Sequence, residues 1–446
     1  MRIAVLLLFL LTYTTLSAQN ARDSNTPSNW TKHFQLTVIA QNHLKFHSAY
    51  SGKNSLADTI EPNATSITST LFFGRKLWHN AAFYFDPELS GGRGVSGAVG
   101  VAGALNGETY RIGSSAPVVT IARAYFQQHF KIGNSGFDTT ADDVNHISGI
   151  IPSSRLTVSI GKFSISDFFD LNKYSHDPRA QFLNWSIMSN GAWDYPANTK
   201  GYTQGVVVEL IKPKWALRAS SVAVGRIANS SKMEYILSKA HSESFEFETH
   251  FSLHKHPGIA RLLITNSISK APSYKEGLNA IATNNKFLLD VISGNEENDQ
   301  YGGKKFGIGL NLEQDLTNNT GVFMRAGYND GKYATWAFTE IDQTLVIGSS
   351  IRLTKLKRKN DILGLALVIN GLSDEHKTFI KSGGYGFIIG DGKLNYAPEQ
   401  IIEMYYNAQL FNNFALTFDY QFVDHPAYNK DRGPVHAFAV RGHIQF

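Results

Sequence analysis

The chain has 446 residues and a formal net charge of +5, and its basic residues are scattered along the sequence without forming blocks. This pattern argues against nucleic-acid binding. Cysteine is absent, which excludes disulfides, a thiolate nucleophile and Cys-ligated metals. Aromatic residues make up 12% of the chain, glycine is abundant with 38 residues and proline is scarce with 13, a composition that favours strands.

The amino-terminal segment predicts export from the cytoplasm. Arg2 precedes a short apolar run, and the small residues Ser17 and Ala18 follow that run. The run is too short to span a bilayer, and small residues are those that signal peptidase prefers. We therefore expect residues 1–18 to be a signal peptide and residues 19–446 to be the exported chain.

After this segment, apolar and polar side chains alternate with a period of two in one stretch after another. In the first stretch, Phe34, Leu36 and Val38 share one face, and Gln35 and Thr37 share the other. Such stretches reach about nine to fourteen residues, whereas strands of soluble proteins are usually about five or six residues long. The length fits a tilted strand that crosses a membrane.

The connections between these stretches alternate between short and long. Taking one strand between successive connections predicts an all-β fold for residues 19–446. We expect one outer-membrane β-barrel domain, a single antiparallel up-and-down transmembrane barrel of sixteen strands. Short turns and both termini are expected on the periplasmic side, long loops outside, and a water-filled lumen within. The turn over residues 132–154 is longer than this arrangement explains. The long polar stretches lie near residues 47–64, 89–117, 170–200, 226–243, 269–304, 329–337, 371–399 and 424–435.

The last ten residues have the same alternation and include an aromatic residue at position 446. An edge strand of a soluble protein is the alternative interpretation. In a barrel, this strand would pair with the first strand and remove the free edge. Phe446 would then be an interfacial anchor and the signal that the barrel-assembly machinery reads. The predicted lipid face holds Phe438, Val440, Ile444 and Phe446, and the predicted inner face holds Arg441, His443 and Gln445.

Several motifs together resemble the OprB family of carbohydrate-selective porins. The resemblance covers roughly residue 70 to the end, and it is weak in the first strand and in 226–300. It implies a sixteen-stranded outer-membrane barrel that conducts sugars passively. The motifs are a Gly-rich stretch over 89–107 followed by Glu108-Thr-Tyr-Arg111, Ala122-Arg-Ala-Tyr125, Gly161-Lys-Phe163 with Asp167-Phe-Phe-Asp170, Asn190-Gly-Ala-Trp-Asp-Tyr-Pro196 and Pro426-Ala-Tyr-Asn-Lys-Asp-Arg-Gly-Pro434.

The inner faces of the predicted strands are compatible with a sugar channel. A channel for neutral sugars needs side chains that hydrogen-bond the sugar hydroxyls and aromatic rings that contact the apolar face of the sugar. Several weak contacts suit conduction, because a solute that is held tightly does not leave. We expect the loops 89–117 and 170–200 to fold inward and to narrow the pore. Mixed charges could form the constriction, or each could brace a loop against the wall. Trp185, Trp193 and Tyr195 could stack on sugar or serve as interfacial anchors. The candidate constriction and sugar-contact residues are Arg93, Glu108, Arg111, Arg123, Asp167, Asp170 and Trp193.

Two other functions compete with a carbohydrate porin. A general or anion-preferring porin is favoured if the inward charges are predominantly Arg and Lys. An outer-membrane enzyme is disfavoured, since no Gly-x-Ser-x-Gly or His-Glu-x-x-His motif occurs. We expect no cofactor, metal or nucleic acid. The expected partners are small sugars, the lipid bilayer, lipopolysaccharide and the barrel-assembly machinery, with the protein a monomer or a homotrimer.

Overall fold

Sixteen antiparallel strands hydrogen-bond in chain order and close into one barrel in the computed structural model of the chain. The structure describes residues 28–110 and 114–446, so the predicted signal peptide lies outside the described residues. The predicted sixteen-stranded up-and-down barrel is confirmed. The strands are β1 Trp30–His43, β2 Ala64–Trp78, β3 Ala81–Gly92, β4 Val118–Lys131, β5 Arg155–Phe163, β6 Thr203–Lys212, β7 Trp215–Val222, β8 His241–Leu253, β9 His256–Ser269, β10 Gly303–Asp315, β11 Thr320–Asn329, β12 Gln343–Arg352, β13 Ile362–Gly371, β14 Glu399–Phe411, β15 Phe414–Asp424 and β16 Val435–Gln445.

Side-chain alternation along the strands separates an apolar outer face from an inner face that carries the polar side chains. In β10, Phe306 and Ile308 are exposed on the outside, whereas Lys305 and Asn311 are buried inside. Only alternate residues of a membrane strand meet lipid, so the chain needs no continuous apolar stretch. The inner face therefore keeps the charged and amide side chains that an aqueous lumen requires.

The last strand pairs with the first and removes the free edge of the sheet. The register runs from Gln35 opposite Gln445 to His43 opposite Ala437. The backbone of Phe446 exchanges two hydrogen bonds with Phe34, at N···O distances of 3.1 and 3.0 Å. Their rings stack with centroids 6.4 Å apart. Closure satisfies backbone groups that an open edge would leave unpaired in lipid.

The connections alternate between the two ends of the barrel as predicted. The end with the short turns has connections over 79–80, 132–154, 213–214, 254–255, 316–319, 353–361 and 412–413. The long turn at 132–154 holds a small hairpin of its own, made of Phe137–Thr140 and Gly149–Pro152. The opposite end has loops over 44–63, 93–117, 164–202, 223–240, 270–302, 330–342, 372–398 and 425–434.

Short helices occur mainly in the loops. Ser273 and Glu276 form a capping box at the start of one of them, satisfying backbone N–H groups that a helix start leaves free. Within residues 28–110 and 114–446, no helix has the length and apolar character needed to cross a membrane. The helices are α1 Gly107–Tyr110, α2 Trp185–Met188, α3 Tyr274–Thr283, α4 Lys286–Ile292 and α5 Asp374–Lys381, with single 3-10 turns at Val95–Ala98, Ile165–Asp167, Thr354–Leu356 and Pro426–Tyr428, and two further short strands pair at Val224–Gly225 and Met233–Glu234.

Candidate permeation site in the lumen

The loop 164–202, here called the inner loop, is held against inward-facing side chains of β11 and β10. The Asp170 carboxylate accepts hydrogen bonds from Arg325 Nε at 3.0 Å and from Asn311 Nδ2 at 2.7 Å. Arg325 also donates to the backbone carbonyls of Ile187 and Ser175 at 2.8 and 2.7 Å. Arg325 is fully buried and Asp170 is 3% exposed. This buried pair braces the inner loop against the wall.

Two glutamates of β14 hold loop backbone from another part of the wall. The Glu403 carboxylate accepts from the backbone N–H groups of Leu183 and Asn184 at 2.6 and 3.0 Å. Four residues earlier in the same strand, Glu399 accepts from Ala102 and Gly103, both at 2.9 Å. The inner loop and the 93–117 loop are therefore both fastened to inward-facing carboxylates of β14. The inner loop is thus held at β14 as well as at β10 and β11.

The two loops also contact each other directly. Trp185 N donates to Gly103 O at 3.0 Å, and Gly107 N donates to Leu183 O at 2.8 Å. A Cβ at Gly107 would lie 2.4 Å from the Met188 sulfur, so glycine permits this approach. The predicted inward course of the loops is consistent with these contacts.

Arg179 of the inner loop joins the 93–117 loop to the wall. Its guanidinium donates to Glu108 Oε2 at 3.1 Å and to Glu88 Oε2 at 2.8 Å. It also donates to Gln35 and Thr70. Burial alone would lower the pKa of Arg179, but Glu108 and Glu88 outweigh burial and raise this pKa well above its ordinary value. Glu108 is thus a buried partner of an arginine that the sequence analysis did not select.

The candidate aromatic residues pack on one another inside the inner loop. Trp185 stacks on Phe338 with ring centroids 4.6 Å apart and on Tyr195 at 5.6 Å. Trp193 contacts Tyr195 at 5.4 Å and Phe169 at 6.4 Å. All of these rings are at most 3% exposed, so they are buried against one another. The aromatic cluster includes Phe338 of the 330–342 loop, so it is a small core that the two loops share.

Arg123 and Asp167 form a charged pair in which both side chains stay partly exposed. Asp167 lies in the 3-10 turn of the inner loop, where its carboxylate accepts from Ser164 N at 3.2 Å. Arg123 of β4 donates twice to this carboxylate, both at 2.7 Å. Its side chain also lies 3.5 Å from Asp86 Oδ2 and 5.5 Å from the Tyr202 ring centroid. The side chains of Arg123 and Asp167 are 15% and 28% exposed.

The other candidates lie elsewhere. Arg93 is exposed at the start of the 93–117 loop, with its guanidinium 3.5 Å from Pro62 O. Arg111 lies outside the described residues. The sequence analysis did not select Arg179 or Arg325, although Arg179 lies nine residues after the Asp167-Phe-Phe-Asp170 motif. The sequence signal for Arg325 is weaker. It is the one charged residue of β11, whose other residues are mostly small or apolar.

The charges of the wall alternate in sign around β6 to β10. Arg218 contacts Glu209, Glu246 and Glu248 at 3.0 to 3.1 Å. Arg261 continues the series with Glu248 at 2.8 Å. Carboxylates are interleaved with arginines in the described part of the wall, so the condition that favours an anion-preferring porin is not met. A closed barrel with a polar, mixed-charge lumen and infolded loops defines an outer-membrane diffusion channel.

The family comparison agrees with this class. A family model described as carbohydrate-selective porin, OprB family, matches residues 71–446. The fold is similar to the high-pH structure of Pseudomonas putida OprB, with 16% identity, 94% of each chain covered and a TM-score of 0.69. The low-pH structure of that protein matches with 12% identity, 94% and 93% coverage and a TM-score of 0.49. The outer membrane channel DcaP of Acinetobacter baumannii matches with 10% identity, 95% and 99% coverage and a TM-score of 0.48.

A comparison with curated proteins gives no match. Because the family model spans most of the sequence, the chain belongs to the OprB family of carbohydrate-selective porins. It is a passive diffusion channel for carbohydrates in the outer membrane of a Gram-negative bacterium, and it is not an enzyme.

Proposed function

We propose that carbohydrates cross the narrowest part of this channel at Arg123 and Asp167. The observation that carries the proposal is their doubly hydrogen-bonded pair, which joins the wall to the inner loop and keeps part of both side chains exposed. A sugar hydroxyl both donates and accepts, so it can interact with the guanidinium and the carboxylate in turn. Opposite charges side by side give short-range polar contacts without a strong net field, which suits a neutral solute that must leave again.

The remaining candidates have different proposed roles. Arg93, which is exposed, would meet sugar before it reaches Arg123. Glu108, Asp170 and Trp193 would shape the lumen indirectly, since each is buried against another loop or wall residue. Removal of residues 1–18, insertion of 19–446 by the barrel-assembly machinery, contact with lipopolysaccharide and a monomeric or homotrimeric state stay predictions. Light scattering of the detergent-purified protein would distinguish the two oligomeric states.

Replacing Arg123 with alanine should weaken sugar block and shift ion selectivity toward cations. The substitution removes a positive charge, so the carboxylates of Asp86 and Asp167 lose their ion-pair partner and the site becomes more negative. A hydrogen bond to a charged group contributes about 1.5–3 kcal/mol, so the half-blocking sugar concentration should rise roughly tenfold or more. Planar-bilayer recordings with a panel of neutral sugars measure the block, and reversal potentials in a salt gradient measure the ion preference.

Arg75→Ala is the matched control, because Arg75 lies on the outer face of β2 over Trp30. It should leave conductance, ion preference and sugar block unchanged. If Arg123→Ala behaves like this control in all three measurements, sugar does not pass at Arg123 and the proposed site is wrong.

A further inference from the structure

The hairpin over residues 137–152, here called the periplasmic hairpin, lies at the end of the barrel where the other connections are short. Its strands Phe137–Thr140 and Gly149–Pro152 pair with each other. At its tip, Asp143 and His146 exchange two backbone hydrogen bonds of 3.1 and 2.9 Å. Asn145 adopts a left-handed conformation there, with φ of 56°. The tip is therefore a tight turn with a defined shape.

The tip folds back into the barrel. Thr31 Oγ1 of β1 donates to Asp143 O at 3.2 Å, and Lys76 Nζ of β2 donates to Ser148 O at 2.8 Å. Ile147 is 6% exposed and belongs to the same buried apolar cluster as Tyr84 and Tyr125. These partners are inward-facing residues of neighbouring strands. The tip of the hairpin therefore occupies part of the periplasmic mouth of the lumen.

Asn145 connects this tip to the proposed sugar site. Its Nδ2 donates to Asp86 Oδ2 at 2.9 Å, and the same Asp86 oxygen is 3.5 Å from Arg123. Asp167 of the inner loop contacts Arg123 from the other side. The inner loop and the periplasmic hairpin, which enter the barrel from opposite ends, thus meet around one arginine.

Two buried oxygen atoms at this meeting point have no hydrogen-bond partner among the described residues. They are Asp86 Oδ1 and Asn145 Oδ1, which belong to hydrogen-bonded neighbours. Buried acceptors in folded proteins are nearly always paired with a donor, so an unpaired one requires an explanation. Two acceptors beside a guanidinium suit a ligand with several hydroxyl groups. A neutral sugar or polyol has such groups, whereas an anion would be repelled by the Asp86 carboxylate.

We propose that the periplasmic hairpin completes the constriction at Arg123 from the periplasmic side, and that Asn145 is a specificity-determining residue that binds a hydroxyl group of a neutral sugar beside Asp86 and Arg123. The proposal rests on the proposed passage of sugar at Arg123. It assigns a function to a turn that is too long for a simple connection. The constriction then has three parts, which are the barrel wall, the inner loop and the periplasmic hairpin.

Asn145→Gly tests the proposal directly. Glycine accepts the left-handed conformation at this position, so the variant removes the amide without straining the turn. We expect the half-blocking concentration of a neutral sugar to rise about two- to tenfold, as befits the loss of one neutral hydrogen bond. Single-channel conductance should rise as well. Thr139→Gly, at an exposed position of the same hairpin, is the matched control and should change neither quantity.

A second experiment tests whether position 145 narrows the pore by modifying a thiol there from each side of the membrane. The sequence has no cysteine, so Asn145→Cys provides a single reactive thiol. A cationic methanethiosulfonate reagent on the periplasmic side should lower the conductance stepwise and react faster than from the outside. Thr139→Cys should react without lowering the conductance. Mass spectrometry confirms that each thiol was modified.

The outcomes separate this inference from the proposed site. If Arg123→Ala weakens sugar block and Asn145→Gly does not, the hairpin has no part in sugar binding and the inference is overturned, while the proposed site stands. If the Asn145→Cys thiol is modified and the conductance does not fall, the hairpin does not narrow the pore and the inference is overturned. If neither Arg123→Ala nor Asn145→Gly alters the block, the proposed site fails and this inference fails with it.

Discussion

Replacing Arg325 with methionine should release the inner loop from the wall and give a channel of higher and noisier conductance. Arg325 is fully buried and donates to the Asp170 carboxylate and to backbone carbonyls of the inner loop. Methionine has a comparable volume but no donor, so the carboxylate loses its charge partner while it stays buried. Breaking a buried pair in this way costs about 3–5 kcal/mol. Single-channel recordings and limited proteolysis of the inner loop are the measurements.

The barrel itself should survive this substitution, because its strands are held by their own backbone ladders. Heat-modifiable gel mobility should therefore be unchanged. Combining Arg325→Met with Asp170→Asn removes the unpaired charge and should restore part of the protease resistance. Arg352→Met, at an exposed end of β12, should behave like the unmodified protein. Wild-type conductance and proteolysis in Arg325→Met would show that the pair does not anchor the loop.

Replacing Trp185 with alanine should open a cavity where the inner loop, the 93–117 loop and the 330–342 loop pack together. Trp185 has no exposed surface and stacks on Tyr195 and Phe338. A buried Trp→Ala substitution costs about 3–5 kcal/mol through lost contacts and the remaining cavity. We expect faster proteolysis of the inner loop, higher conductance and faster permeation of larger sugars in liposome swelling.

Trp78→Ala is the matched control for this experiment. Trp78 is 60% exposed at the end of β2, so its loss creates no cavity in the lumen. Liposome-swelling rates for large and small sugars should keep their ratio in the control and become more alike in Trp185→Ala. An unchanged ratio in Trp185→Ala would mean that the aromatic cluster does not set the width of the channel.

The barrel could be predicted from the sequence because its signals are local. A strand in a membrane must alternate every second residue, so Phe306, Ile308 and their polar neighbours show which face meets lipid. The spacing of short turns and long loops then determines the number of strands and which ends lie together. The same period of two places Asp86 and Glu88 of β3 on the face opposite Phe83 and Phe85, which is the inner face. None of these inferences needed a contact between distant residues.

The roles of the loop residues depended on the tertiary structure. Asp170 contacts Arg325, 155 residues further along the chain, and Arg179 contacts Glu88, 91 residues before it. No periodic pattern specifies such partners, because they follow from the path of a loop inside the barrel. A constriction charge and a loop brace require the same residue types, so Asp167 and Asp170 looked equivalent in sequence. Only the structure separated the partly exposed Asp167 from the buried Asp170.

The tertiary structure also decided how the aromatic residues of the inner loop pack and where the 132–154 turn lies. Trp185, Trp193 and Tyr195 could have stacked on sugar or on one another, and the choice depended on Phe338, which a different loop brings to them. The sequence over 132–154 indicated only a turn of unusual length. Its inward course follows from contacts of Asn145 with Asp86 and of Ser148 with Lys76. The sequence by itself thus determined the alternating wall, because alternation is local, whereas the tertiary structure decided what fills the lumen, because packing there joins residues far apart in the chain.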